Sequence, residues 1–129
     1  MTDKHTLLLP YPPSTNRLWR YSKNGVYRTP VYKAYIKECQ RVQPAYQLWL
    51  HDPVCTPVSM QVWANPPDKR RRDLDNLCKA LCDVIVHLGI LEDDHWIHDL
   101  HLKWDREAVQ NGVLIDIRPL SAAPATVMA

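Results

Sequence analysis

The chain has 129 residues, 46% of them hydrophobic, and a formal net charge of +2. That length and composition suit one ordinary globular domain, and no apolar run is long enough to span a membrane. The charge is unevenly placed: residues 1–72 carry 12 Lys+Arg against 4 Asp+Glu, a balance of +8, and residues 73–129 carry 4 against 10, a balance of −6. A basic half joined to an acidic half suits a polyanion-binding surface beside a metal site, although folding can interleave the halves and cancel the asymmetry. The start, Met-Thr-Asp-Lys-His, has no signal peptide, so a cytoplasmic location and free thiols at Cys39, Cys55, Cys78 and Cys82 are expected. Cys78 and Cys82 stand at i, i+4 with His87 nearby, but no second pair with matching spacing completes a zinc site, and they read as small buried hydrophobes.

In chain order, Thr6-Leu7-Leu8-Leu9 is a short strand stopped by Pro10-Tyr11-Pro12-Pro13. A loop follows in which Arg17, Trp19, Arg20 and Tyr21 mix cations with aromatics, and Tyr27-Arg28 continue the mixture past an Asn24-Gly25 hairpin signal of the type I′ kind. Such a mixture suits a nucleic-acid surface; the other reading is a loop anchored in the core by Trp19 and Tyr21, and for the aromatics that reading is preferred. Thr29-Pro30 opens a helix as N-cap and first residue, with Tyr32, Tyr35, Ile36, Cys39 and Val42 as its apolar stripe. Lys33, Lys37 and Arg41 fall on another, solvated face. Pro44 kinks or restarts this helix, and Tyr46, Leu48, Trp49 and Leu50 finish it. Val58, Met60, Val62 and Ala64 alternate with Ser59, Gln61 and Trp63 as a strand with one buried face.

Lys69-Arg70-Arg71-Arg72 then runs straight into Asp73-Leu74-Asp75-Asn76, with Lys79 close behind. A second helix is predicted over about residues 74–88, with Leu74, Leu77, Cys78, Leu81, Ile85 and Leu88 as its core stripe. Asp75, Lys79 and Asp83 share a different face at i, i+4, i+8. Two readings compete. In one, Asp73 is an N-cap, Asp75 serves the helix dipole and Lys79 is an i+4 partner. In the other, the two carboxylates offer hard oxygen ligands to a Mg²⁺-like ion, and the basic run holds a nucleic-acid backbone. Gly89 reads as the residue just past the helix end. After Glu92-Asp93-Asp94, a strand is expected from about His95 to Arg106, with Trp96, His98, Leu100, Leu102 and Trp104 on the core face. By that parity Asp94 leans toward the helices and Asp93 away. This strand turns at Asn111-Gly112 into Val113-Leu114-Ile115-Asp116-Ile117, and residues 119–129 read as a disordered tail after a domain of residues 1–118.

Taken together, these residues resemble the RusA family of Holliday-junction resolvases. The match begins at Leu9-Pro10-Tyr11-Pro12-Pro13-Ser14-Thr15-Asn16, is strongest from Pro66-Pro67-Asp68 through Arg72-Asp73-Leu74-Asp75-Asn76-Leu77-Cys78-Lys79-Ala80, and closes with Leu88-Gly89-Ile90-Leu91-Glu92-Asp93-Asp94. The resemblance implies a small single-domain α+β fold, a mixed sheet with two main helices packed on it, acting as a homodimer. It implies Mg²⁺-dependent cutting of four-way DNA junctions by paired nicks, in recombination and repair, and an association with prophages. Carried over residue by residue, Asp73, Asp75 and Asp94 match the family's essential acids and Lys79 its essential lysine, while Asp93 matches a neighbouring acid of less certain role.

Elementary chemistry agrees with that expectation. A phosphodiester repels its nucleophile, and Mg²⁺ held by two or three aspartates offsets that repulsion. Asp75 and Asp94 are expected as direct ligands, Asp73 as a third ligand or a brace, Lys79 to position the attacking water or stabilise developing charge, and Asp83 in a supporting role. Lys69, Arg70, Arg71 and Arg72 are expected to hold DNA backbones. A nuclease for flaps or forks, a non-catalytic branched-DNA-binding protein, and a structural protein whose acids merely cap a helix remain alternatives at this point.

Overall fold

A computed structural model describes residues 5–13, 19–42, 52–67, 74–107 and 112–120. Its elements in chain order are β1 (His5–Leu9), β2 (Trp19–Ser22), β3 (Gly25–Arg28), α1 (Pro30–Val42), β4 (Val58–Asn65), α2 (Asp75–His87), a 3₁₀ turn (Asp94–Trp96), β5 (Ile97–Trp104) and β6 (Gly112–Pro119). Four strands form a mixed sheet in the order β1-β6-β4-β5, and β2 and β3 form a separate two-stranded sheet. The first two pairings are antiparallel, and β4 with β5 is parallel. A parallel pair needs a long crossover, and α2 with the 3₁₀ turn supplies it.

Period-two alternation sets the buried face. Val58, Met60, Val62 and Ala64 of β4 are fully buried, and in register across β6 stand Ile117, Ile115 and Val113. Leu7 and Leu9 of β1 continue the row. Tyr32, Tyr35, Ile36 and Cys39 from α1 and Leu77, Leu81, Ile85 and Leu88 from α2 close over it as one apolar cluster. The two predicted helical stripes are therefore the ones that bury, except that Val42 at the end of α1 is exposed and Leu74 and Cys78 are only partly buried. The α+β class with two helices on a small mixed sheet is the one observed.

Local signals explain the helix ends. The Tyr32 N–H donates to Thr29 Oγ1 at 3.2 Å, so Thr29 caps α1 as expected. Thr29→Ala should cost about 1 kcal/mol, read as a lower urea midpoint at unchanged slope. At the other end of α2, Gly89 takes φ 79°, its N–H donates to Val86 O at 3.0 Å, and the Ile90 N–H donates to Ile85 O at 3.2 Å. That pair of bonds is a Schellman motif, with Ile85 and Ile90 both buried beside it.

Several expectations need correction. The strand predicted from His95 begins instead at Ile97, because Asp94–Trp96 coil into a 3₁₀ turn. Its parity also changes: Val58 pairs with Ile97 but Ser59 with Asp99, leaving one extra residue on β5. This irregularity explains why Ile97 packs on the core together with Leu100 and Leu102; Trp104, at the strand's end, is exposed. No β5–β6 hairpin forms, since β4 lies between those strands. In the first hairpin Ser22 pairs with Gly25, so the loop is Lys23-Asn24 and Gly25, at φ 115°, opens the return strand. Tyr21 anchors nothing and is 85% exposed. β6 runs through Pro119, and the Leu120 N–H donates to Pro57 O, so the chain is still ordered at the start of the expected tail. The continuation of the first helix over Pro44, Tyr46, Leu48, Trp49 and Leu50, and tail residues 121–129, lie outside the described residues.

Candidate active site

α2 carries the charged face. Its N-cap position is Leu74, with no side-chain capping bond, which is one residue later than the expected cap at Asp73. Asp75 is the first helical residue, where the helix dipole favours a carboxylate. Asp73, Lys69, Arg70, Arg71 and Arg72 lie outside the described residues, as does the side chain of Asp75.

Lys79 follows one turn after Asp75 and is exposed. Its Nζ stands 4.5 Å from the centroid of the Trp19 ring, within cation–π range. Trp19 in turn meets Tyr32 edge-on, with ring centroids 5.0 Å apart at 68°. The Tyr32 hydroxyl donates to Asp83 Oδ2 at 2.7 Å, with Ala80 O 3.2 Å away as a second acceptor. Burial, and then the bond to Asp83, raise the Tyr32 hydroxyl well above the usual tyrosine range, so it remains a donor. Arg28 reaches the same carboxylate through Nε and Nη2 at 3.1–3.2 Å. Asp83 is thus committed to a fork with Arg28 and a bond from Tyr32.

The sequence places Asp83 third on a helical face, in a supporting role, and does not show its partners Arg28 and Tyr32. One signal was present: a tyrosine inside a buried helical stripe needs an acceptor for its hydroxyl. Asp83→Ala should destabilise the fold by about 1–3 kcal/mol, because it leaves a buried hydroxyl with one weaker acceptor and a half-buried guanidinium without its counter-charge. Asp83→Asn, which keeps an acceptor, should lose less. Urea unfolding of the two variants checks the order.

The adjacent acids after α2 differ in what they do. The Asp93 carboxylate caps the 3₁₀ turn, accepting from the His95 N–H at 3.2 Å and pairing with His95 Nδ1. Those bonds hold its carboxyl below the usual range. Glu92 accepts from Trp96 Nε1 at 2.9 Å. Asp94 is exposed, and no hydrogen bond or ion pair from a described residue engages its carboxylate. The turn that bears it packs against α2. Its charge is felt there: the Cys82 thiol is pushed up first by burial, then by Cys78, and further by Asp94 and Asp83. Asp94 therefore lies beside the helix that carries Asp75, Lys79 and Asp83, although the parity argument that placed it there relied on a strand that starts later.

Cys78 and Cys82 are free, with their sulfurs 4.0 Å apart, and Cys82 is buried. Among the described residues no group of three His, Cys, Asp or Glu side chains could hold a metal. A cation in this region would have to draw on Asp94 together with acids at the start of α2. The donor chemistry suits a hard ion: an exposed carboxylate that no described residue engages keeps its oxygens available, whereas Asp83 is bonded through both oxygens and Asp93 through Oδ2. The cations of α1 are exposed, and Arg41 pairs with Glu38. No helix among the described residues is long and apolar enough to cross a membrane.

Comparison with known proteins gives this geometry a context. The family model described as endodeoxyribonuclease RusA matches residues 10–118. The crossover junction endodeoxyribonuclease of Enterobacteria phage HK97 is 36% identical over 100 residues, covering 78% of this chain and 82% of its own. Those of Escherichia coli strain K12 and of Enterobacteria phage 82 are each 33% identical over 97 residues, covering 75% of this chain and 79% of theirs. A family match that takes in every described element from β2 to β5, together with relatives at this identity over most of their length, has one meaning: the chain belongs to the RusA family of endodeoxyribonucleases.

Proposed function

We propose that this protein is a Mg²⁺-dependent endodeoxyribonuclease that resolves four-way DNA junctions by paired nicks, acting as a homodimer in DNA recombination and repair. The observation that carries the reading is the Asp94 carboxylate, which no described residue engages, on a turn packed against the helix that bears Asp75 and Lys79. Relatives named as crossover junction endodeoxyribonucleases support the choice of substrate.

In this reading Asp75 and Asp94 hold the ion, with Asp73 as third ligand or brace. Bound there, Mg²⁺ would neutralise phosphate charge and lower the pKa of a water. The chain's own groups do the rest. Lys79 stabilises negative charge developing on the phosphate, and the Trp19 ring restrains the ammonium from wandering into solvent. Lys69, Arg70, Arg71 and Arg72 hold the strand backbones and fix register without reading sequence. A two-fold dimer matches the two-fold symmetry of a junction, giving one site per cut.

The test is an end-labelled synthetic junction, with and without Mg²⁺, set against a flap, a fork and a plain duplex, for wild type and Asp75→Asn. Symmetric nicks that need Mg²⁺ and vanish in a folded Asp75→Asn protein are expected. Tight junction binding with no cutting under any condition would leave a non-catalytic branched-DNA-binding protein. Preferential cutting of the flap or fork would reassign the substrate.

A further inference from the structure

The β2–β3 hairpin contributes little to the core, yet it is firmly mounted. It stands apart from the main sheet, and every residue from Arg20 to Tyr27 is exposed. An isolated two-stranded hairpin is marginal in water, so it needs an anchor. Here the anchor is the base pair of the ladder, Trp19 opposite Arg28. Trp19 packs on Tyr32 and under Lys79, and Arg28 forks onto Asp83. The far part of the hairpin is thereby held at a set position from α2.

Register decides what that far part offers. Tyr21 pairs directly with Val26, two residues out from Trp19 and Arg28 and on the same face. Tyr21 is 85% exposed and Val26 57%. The Tyr21 ring therefore stands about 7 Å further along the strand from Trp19, on the side that holds Lys79. The hairpin carries Arg20, Lys23 and Arg28 and no acidic residue. Arg28 is held by Asp83, but an exposed ring beside Arg20 and Lys23, on an arm with no acid, suits a nucleic-acid strand, whose bases stack on aromatics while its phosphates meet cations. A surface with no acid is poorly suited to an equally cationic second copy of itself.

We propose that the β2–β3 hairpin is a DNA-contacting arm, and that Tyr21, backed by Val26, is a stacking platform for an unstacked base next to the strand that lies at Lys79. The inference rests on the nuclease reading for its placement beside the cut strand. Its stacking chemistry can be tested apart from cutting.

The experiment uses 2-aminopurine placed at the branch point of a four-way junction and, separately, within a single-stranded oligonucleotide. Wild type, Tyr21→Ala and Tyr21→Phe are compared for fluorescence and affinity, and their sedimentation is measured. Tyr21→Ala should lose the fluorescence change and weaken binding to both DNAs by roughly 5- to 150-fold, with plain-duplex affinity unchanged. Tyr21→Phe, which keeps the ring, should restore both. Equal binding and equal fluorescence for Tyr21→Ala would overturn the proposal, as would an equal loss on plain duplex, which would mark a backbone contact. A changed oligomeric state in Tyr21→Ala would overturn it too, making the face a contact between copies. If wild type fails to cut the junction, the nuclease reading falls, while the single-stranded arm still decides the role of Tyr21.

Discussion

Replacing Asp94 by asparagine is expected to abolish Mg²⁺-dependent junction cleavage, by on the order of 10³-fold or more, while leaving the fold intact. Losing one hard ligand forfeits several kcal/mol of transition-state charge stabilisation, and each 1.36 kcal/mol is about tenfold in rate. The fold should not notice. Asp94 is exposed and its side chain is bonded to no described residue, and such substitutions usually fall within about 0.5 kcal/mol. Asp93→Asn is the control. Its carboxylate caps the 3₁₀ turn through His95, so a modest rate loss is expected with a small loss of stability. Single-turnover cleavage across a Mg²⁺ titration, with circular dichroism on each variant, checks the pair. Wild-type rates for Asp94→Asn would remove it from the site.

Gly112→Ala should be among the most damaging single-methyl changes in the chain. A Cβ at this position would lie 2.5 Å from Leu9 O and 3.5 Å from Leu9 C, both backbone atoms of the neighbouring strand. Neither side can yield easily, because β6 sits between β1 and β4 and is hydrogen-bonded on both edges. Overpacking of this kind costs about 1–3 kcal/mol and occasionally more, and each kcal/mol is worth roughly 4 °C in melting temperature for a chain of this size. Gly25→Ala makes the contrast. Nothing lies within 4 Å of a Cβ there, and the strain comes only from its φ of 115°, worth about 1–2 kcal/mol on an exposed hairpin. Thermal melts should rank Gly112→Ala at or below Gly25→Ala. A Gly112→Ala melt within a degree of wild type would mean that the strands part more easily than their bonding suggests.

The helices were legible because a 3.6-residue stripe states which side is buried, and Thr29 and Gly89 mark their ends with local chemistry. The sheet was less so. Alternation tells which face of a strand is apolar but not which strand lies beside it, so β6 was joined to β5 by an Asn-Gly signal whose glycine instead answers to the carbonyl of Leu9. An extra residue on β5 is invisible to alternation for the same reason. Around the candidate site, the shared helical face of Asp75, Lys79 and Asp83 follows from spacing alone. The partners of that face do not. Arg28 and Tyr32 meet Asp83 across 55 and 51 residues of sequence, a separation that no local pattern bridges. Parity separated Asp94 from Asp93, but through a strand that starts later; what tells them apart in the fold is the 3₁₀ turn, which Asp93 caps while no described residue engages Asp94.

The link between α2 and that turn buries Leu88, Ile90 and Leu91 and is also stitched by main-chain bonds. Beyond the Schellman bonds, the Val54 N–H donates to Ile90 O at 2.8 Å and the Glu92 N–H donates to Val54 O at 3.0 Å, a short parallel bridge that grips the link. Backbone bonds are indifferent to side-chain identity but count residues strictly. The link behaves as a ruler: apart from Gly89, whose φ of 79° suits glycine, residues on it can be exchanged for others of similar burial with Asp94 staying in place, whereas one residue more or fewer would carry that carboxylate around the turn and away from α2.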